Sequence, residues 1–535
     1  MVKKFSMLAL AGLIALPAVA SASGGASSND LERKIEELSM QLDQLKAQMA
    51  EGAGGCSTGD CQDMMDSIED LEDRSESWDL AARIKFYGDF RARLDYYNAD
   101  LADGRTAKSD SLWTNRFRLN MRVKATENVE FKARLAMYKA WGMENTPQGL
   151  SGGWPSWDGN STRQPTDNAL RVDRAFVNWN NIGGLPVWFS IGRRPTTDGP
   201  PAQIRMGNDG RMATPIPYMD WPFDGISVGY AYRWGVESMG TGRIRFCYGR
   251  GFETGLEIEG ANDTMADMDF AGLSWDLMKK GNRFINIQSF MAFDVFNYPS
   301  FTSEFVNYGA GFSPDQGGFG DQMVVGNITH SSVVYQDKVA DFNFFAVGGW
   351  SVTDPNQNGM FNDYAGMGAA QQMAGQGMSQ AMINGALAQM GMEGTPHTDS
   401  ENGYSVYLGT RYDFDSIGLK LGAEWNYGSE YWVAMNPGHD DLFLGKLGAR
   451  GNVFEVYGIY DLPTGEAISK YAKTFIRLGW QHYEYDYSGS MDWNAKPYDL
   501  DDSAELGQIN MVDSASGRST VESADQVYLT FEAYF

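Results

Sequence analysis

The stretch Asp525-Gln526-Val527-Tyr528-Leu529-Thr530-Phe531-Glu532-Ala533-Tyr534-Phe535 places Val527, Leu529, Phe531, Ala533 and Phe535 on one face and Gln526, Tyr528, Thr530, Glu532 and Tyr534 on the other. Alternation sustained this long is the period of a β-strand, not of a helix. A tilted strand of about 9–11 residues just crosses a bilayer core, so this one reads as membrane-spanning.

Working outward, the first residues supply an export address. Lys3 and Lys4 precede an apolar run from Met7 to Ala20, and Ala18, Ala20 and Ala22 suit signal peptidase. We expect residues 1–22 to be a signal peptide. No later segment holds eighteen consecutive apolar residues, which excludes a helical membrane protein although 43% of the chain is hydrophobic and 13% aromatic. A barrel reconciles the two, because its lipid face needs only every second residue to be apolar. The mean hydropathy of -0.39 fits that arrangement.

Residues 23–80 read differently. Leu31, Ile35, Leu38, Leu42, Leu45 and Met49 recur at spacings of four and three, a heptad seam. Gly52 to Gly59 interrupts it, and Met64, Ile68, Leu71 and Trp78 resume a weaker one. We expect a short periplasmic coiled-coil helix that favours self-association. Cys56 and Cys61 are close enough for a small disulfide in an oxidising compartment, whereas Cys247, in a predicted strand, reads as a packed free thiol.

Residues 81–535 form the predicted barrel, and its first strand sets the register. Ile84, Phe86, Phe90 and Leu94 occupy even positions; Arg83, Lys85, Asp89, Arg91, Arg93 and Asp95 occupy odd ones. Each cation at the lipid midplane would cost about 2–4 kcal/mol, so the odd face must line the lumen. The next strand repeats the scheme, with Phe117, Leu119, Met121, Val123 and Ala125 outward and Arg116, Arg118, Asn120, Arg122 and Lys124 inward.

Alternation continues through 82–95, 113–125, 128–140, 169–180, 185–193, 224–234, 240–250, 266–277, 283–296, 321–336, 338–352, 403–414, 417–429, 441–460, 470–486 and 525–535. The fold class is therefore all-β, a transmembrane antiparallel barrel of about 16 strands, 16–18 at most. Tight turns alternate with the long connections 96–112, 141–168, 195–223, 297–320, 353–402 and 487–524, as expected of periplasmic turns and external loops. The Met-rich part of one loop, Asn356 to Gly394, is expected either to form a helix over Met367 to Met390 or to stay mobile.

The C-terminal Phe on the closing strand resembles the assembly signal of bacterial outer-membrane barrels, which implies recognition by the barrel assembly machinery. The strand count and loop pattern resemble the general trimeric porins over roughly Ala82 to Phe535. In those proteins the third external loop folds into the barrel opposite a ladder of arginines. Here that loop begins Gly192-Arg193-Arg194-Pro195-Thr196-Thr197-Asp198-Gly199-Pro200-Pro201 and continues through Arg205, Asp209 and Arg211. It carries both signs of charge and lacks the usual acidic motif. This segment and the N-terminal coiled coil look more like an uncharacterised family of porin-like outer-membrane proteins, which supplies no mechanism.

Arg91, Arg93, Arg116, Arg118, Arg122, Lys124, Lys132 and Arg134 come from the first three strands and are expected to stack on one wall. Cations in a low-dielectric constriction attract anions. Arg193, Arg194, Arg205 and Arg211, with Asp198 and Asp209, would face them from the third loop. The same arginines have a second reading, in which Asp89, Asp95, Glu130 and Asp173 pair with them to hold the wall rigid. The net charge of -26 does not oppose an anion path, since much of the acid lies in predicted loops.

Trp179, Trp188, Tyr230, Tyr232, Trp234, Trp350, Tyr457 and Tyr460 lie near strand ends, as interfacial girdles require. His330 and Ser332 share a strand face, but a lone pair of polar residues there makes no hydrolase. We therefore expect a non-enzymatic outer-membrane porin without cofactor, metal or nucleic acid, surrounded by lipid and lipopolysaccharide. It would be a homotrimer, passing small hydrophilic solutes with a weak anion preference. The alternatives are a structural or adhesive barrel, or one sheathing a partner cytochrome.

Overall fold

The structure, a computed structural model, describes residues 40, 83–142, 165, 168–194, 199–207, 223–255, 266–297, 323–436, 445–465, 467, 472–516 and 519–535. But for Met40, the expected signal peptide and coiled coil, with Cys56 and Cys61, lie outside them. The chain divides into two compact units. The smaller comprises Met1–Phe86, Met121–Glu127 and Glu466–Lys470; the larger, Tyr87–Asn120, Asn128–Gly465 and Tyr471–Phe535, holds nearly all of the strands.

Sixteen antiparallel strands close a barrel: β1 (Ile84–Leu101), β2 (Thr106–Lys124), β3 (Val129–Ala140), β4 (Arg171–Trp179), β5 (Val187–Arg194), β6 (Phe223–Arg233), β7 (Thr241–Phe252), β8 (Met268–Lys280), β9 (Arg283–Phe296), β10 (Val324–Val339), β11 (Phe342–Pro355), β12 (Asn402–Phe414), β13 (Leu419–Gly428), β14 (Gly451–Asp461), β15 (Lys473–Tyr485) and β16 (Val521–Tyr534). Each strand neighbours the next in sequence, and β1 pairs with β16 to remove the sheet edges. Gly88 and Phe535 exchange backbone hydrogen bonds at that seam, of 2.9 and 3.1 Å.

Every predicted strand is present, and the face assignments hold. On β16 Gln526, Tyr528, Thr530 and Glu532 are buried while Val527, Leu529 and Phe531 are exposed; on β1 Asp89, Arg91, Arg93 and Asp95 are buried. Leu94, Leu529 and Leu478 lie side by side across β1, β16 and β15, part of the outward apolar belt. Trp179, Tyr230, Trp350 and Tyr460 are exposed on the outside, as a girdle requires. Such a belt on a closed barrel marks a transmembrane wall.

Three expectations are corrected. The connection 96–112 is not long: β1 and β2 continue past it and only Ala102–Arg105 turns the chain, because Tyr97, Ala99 and Thr114 keep the inward alternation going. The fourteenth strand begins at Gly451, not 441. Trp188 and Tyr457 are not girdle residues; Trp188 lies against Gly229 on the lumenal face and Tyr457 is buried. The Met-rich loop forms two helices, α1 (Tyr364–Gly375) and α2 (Gln380–Gln389), and the last loop carries a third, α3 (Ser503–Ser516).

The connections fall into two sets. Apart from the Ala102–Arg105 turn, the set at the end opposite Phe535 is long, and parts of it turn inward. Met360, Phe361, Val433, Met435 and Trp493 pack with Phe270, Val295 and Ile328 of β8–β10 in one buried cluster; Tyr498, Leu500 and Ile509 pack with Tyr97, Tyr138 and Tyr483 in another. Each large side chain so buried contributes about 1.5–3 kcal/mol. The loop end of the lumen thus has an apolar core.

Candidate functional site

The cationic wall forms as the alternation requires, and it is paired. Arg118 donates to Asp89 at 2.7 Å with Arg116 on the same carboxylate at 3.4 Å; Arg93 bonds Asp95 at 2.8 Å, Arg134 bonds Asp173 at 2.5 Å and Lys132 bonds Glu130 at 2.6 Å. Arg91 donates to the Tyr138 hydroxyl at 3.3 Å and Arg93 lies over the Tyr528 ring at 4.6 Å. These are the four carboxylates expected to partner the arginines. Six cations of β1–β3 gather about them. All but half-buried Lys132 are nearly inaccessible. Arg122 and Lys124, in the smaller unit, are exposed.

The third loop does enter the barrel. Gly199–Gly207 coils through consecutive turns, with Ala202 bonding back to Gly199 and Ile204 to Pro201, both at 3.1 Å. Four strands of the opposite wall hold it. Gln203 donates to Gln336 of β10 at 2.7 Å, and Arg411 of β12 donates to the Ile204 carbonyl at 2.7 Å. Arg205 pairs with Glu455 of β14 at 3.0 Å. Arg477 of β15 donates to the Arg205 carbonyl at 2.9 Å, and Lys473 of the same strand to the Gly207 carbonyl. Ile204 packs with Val334, Phe345 and Tyr407.

Glu455 is the hub of this network. It also accepts from Lys446 at 2.5 Å, from Gln481 at 3.0 Å and from the Tyr528 hydroxyl at 2.6 Å, and Lys446 reaches Glu424 as well. Two cations thus meet two carboxylates with almost no solvent, the arrangement in which neither charge of a pair can be removed cheaply. A second clamp sits nearer the loop end. Buried Arg450 donates to the carbonyls of Trp432 at 3.2 Å, Ser488 at 3.0 Å and Asp492 at 2.5 Å, with its guanidinium 5.4 Å from the Phe361 ring.

Sequence reasoning found Arg205 but missed Glu455, Lys446, Glu424 and Arg450. Residues 441–450 were expected to be strand, whereas Lys446–Gly448 is a short helical turn folded into the lumen. The signal was there: Gly445 and Gly448 break an apolar run without alternation. Of the other third-loop residues, Arg194 is buried on the lumenal face and Arg193 pairs with Asp224 at 3.7 Å. Asp198, Asp209 and Arg211 lie outside the described residues. Cys247 is a half-buried free thiol, 3.3 Å from the Ser227 hydroxyl. His330 stacks on Phe290 and meets Trp432 at a tilt, both at 5.1 Å, as a core side chain.

Electrostatics at the loop end follow from crowding of acids. Burial raises the Glu430 carboxyl above the usual range, helped by Glu401 and Glu505. Burial likewise raises Asp486, with Glu484, Asp501 and Asp499 adding to it.

Residues 106–535 match the model of a family described as a protein of unknown function, DUF3373. The chain belongs to that family. This agrees with the resemblance to an uncharacterised family and supplies no activity. No curated protein matches the sequence. Among solved structures, the trimer form of in-vitro folded OmpT, an outer membrane protein of Vibrio cholerae, is 11% identical, covering 84% of this chain and 99% of its own, with a TM-score of 0.39. Salmonella typhi OmpF in complex with daunomycin is 10% identical, covering 84% and 97%, with a TM-score of 0.38. Likenesses this distant carry no argument about what the family member does.

Proposed function

We propose that the protein is a bacterial outer-membrane channel of restricted bore, through which small hydrophilic solutes diffuse passively with a weak preference for anions. The observation that carries the reading is the anchoring of Gly199–Gly207 inside the barrel across β10, β12, β14 and β15. A loop held by buried charge has a fixed position and narrows whatever path remains. The cations gathered on the β1–β3 wall supply the anion preference. No catalytic step is part of the proposal. Assembly as a homotrimer and a periplasmic N-terminal segment belong to it as well.

A second reading, a structural or adhesive barrel, is favoured by one observation: inward side chains are buried on strands all round the described wall. The chain's own loops along β10–β15 weigh against a barrel that sheathes a partner. Single-channel conductance and reversal potential in planar bilayers separate the readings. Small, stepwise conductance with an anion preference weakened by Arg91→Gln is expected. Silence from correctly folded barrels would overturn the channel and leave the structural barrel.

A further inference from the structure

Arg194 ends β5 on the lumenal face, remote in sequence from the β1–β3 wall. It is only 8% exposed, and its Nη1 is buried with no hydrogen-bond partner. Among the described residues no carboxylate lies within ion-pair distance of it. Its guanidinium touches two aromatic faces, 5.6 Å from the Phe176 centroid and 5.9 Å from that of Trp188. Trp188 is six residues back on the same strand, flat against β6, where a Cβ at Gly229 would come within 2.4 Å of the ring. The side chain therefore folds back along its own strand into the barrel.

Ring faces attract a desolvated cation by about 2 kcal/mol. Burying an unpaired charge costs several times that, so the site is one charge short of balance. The surroundings sharpen the deficit. Arg243 lies within electrostatic reach, and both Arg243 and Arg245 pair with Asp276, at 2.9 and 3.9 Å. Ser190, on the same lumenal face of β5, is fully buried with its hydroxyl unpartnered, and sits directly across from Ser227 of β6. Among the described residues the barrel wall thus presents a guanidinium Nη1 without a hydrogen-bond partner, a spare hydroxyl and added positive potential on one side.

We infer that Arg194 and Ser190 form a binding site for a small oxyanion, inorganic phosphate, sulfate or a compact carboxylate, on the β4–β7 wall. A planar fork suits two oxygens of one anion better than it suits a spherical halide. The site is a matter of binding and holds whether or not the barrel conducts.

The test is calorimetric titration of the folded, detergent-solubilised full-length protein with inorganic phosphate at constant ionic strength in chloride. One saturable site per chain is expected. Arg194→Met should weaken it by about tenfold or more, the value of a charge-assisted hydrogen bond, and Arg194→Lys should recover only part of that loss. Exposed Arg105→Met should leave it unchanged. Anomalous scattering from selenate in wild-type crystals gives an answer that does not depend on a variant folding; its peak belongs beside Arg194. No saturable phosphate binding, equal binding by Arg194→Met, displacement by equimolar chloride, or selenate bound only elsewhere would each overturn the inference. None of these readouts involves current, so a silent barrel that binds phosphate sinks the channel alone.

Discussion

Replacing Glu455 by Gln removes one charge from the point where the third loop is tied to the wall. Arg205 at 3.0 Å then loses this charged partner, and Lys446 loses one of the two carboxylates it bridges. Leaving a buried cation unpaired costs about 3–5 kcal/mol. The strands keep their ladders, so the cost falls on docking of Gly199–Gly207 and not on the barrel. At about 1.4 kcal/mol per factor of ten, it raises the undocked population by about two to four orders of magnitude. Ile204 reports the change, being 2% exposed in the docked loop. With Cys56, Cys61 and Cys247 replaced by Ser, the thiol of Ile204→Cys should react with a charged, membrane-impermeant reagent about a hundredfold faster or more in Glu455→Gln, while the barrel resists unfolding as before. Arg205→Met combined with Glu455→Gln should cost less than the two changes summed. A labelling rate unchanged within about threefold would show that the ion pair does not hold the loop, and the reasoning fails.

Arg450→Met should free the loops without opening the wall, so hydrogen exchange would rise at 429–436 and 486–494 and stay slow in β13–β15; fast exchange in those strands would contradict a clamp confined to loops. Leu529→Arg, on the outward row with Leu94 and Leu478, should cost about 2–4 kcal/mol and block membrane assembly, read as loss of the heat-modifiable band; normal assembly would refute the face assignment. Glu430 and Asp486 have carboxyls raised in the folded loops, so their contribution is full below the ordinary carboxylate range and is lost as pH rises through the raised values. Proteolysis of the loops should accordingly be slower near pH 4 than at pH 7, and Glu430→Gln should flatten the difference. Faster cleavage at the acid end, with the protease corrected for its own profile, would contradict the sign.

Strand identity, strand number and face were legible in the sequence because each follows from a local rule. A residue on a membrane strand sees lipid or lumen, and Arg91, Arg93, Arg116 and Arg118 cannot see lipid; their parity therefore decides the register before any contact is known. Even their carboxylate partners were readable, since Asp89 and Asp95 share the inward parity and Asp173 falls on the strand next to Arg134. The place of the third loop was also anticipated, but only through resemblance, and its anchors were not.

Only the tertiary structure decided what fills the barrel. Glu455 and Arg205 are 250 positions apart, Arg450 draws its carbonyl partners from separate loops, and no periodicity relates a loop residue to the wall it meets. Residues 445–450 and 491–500 carry no alternation to be read; their burial depends on the cavity that sixteen strands enclose. Arg194 makes the same point from the other side. The sequence set it on the third loop facing the wall, whereas the lack of a hydrogen-bond partner for its Nη1 among the described residues depends on the strands around it, and so became visible only once the barrel was closed.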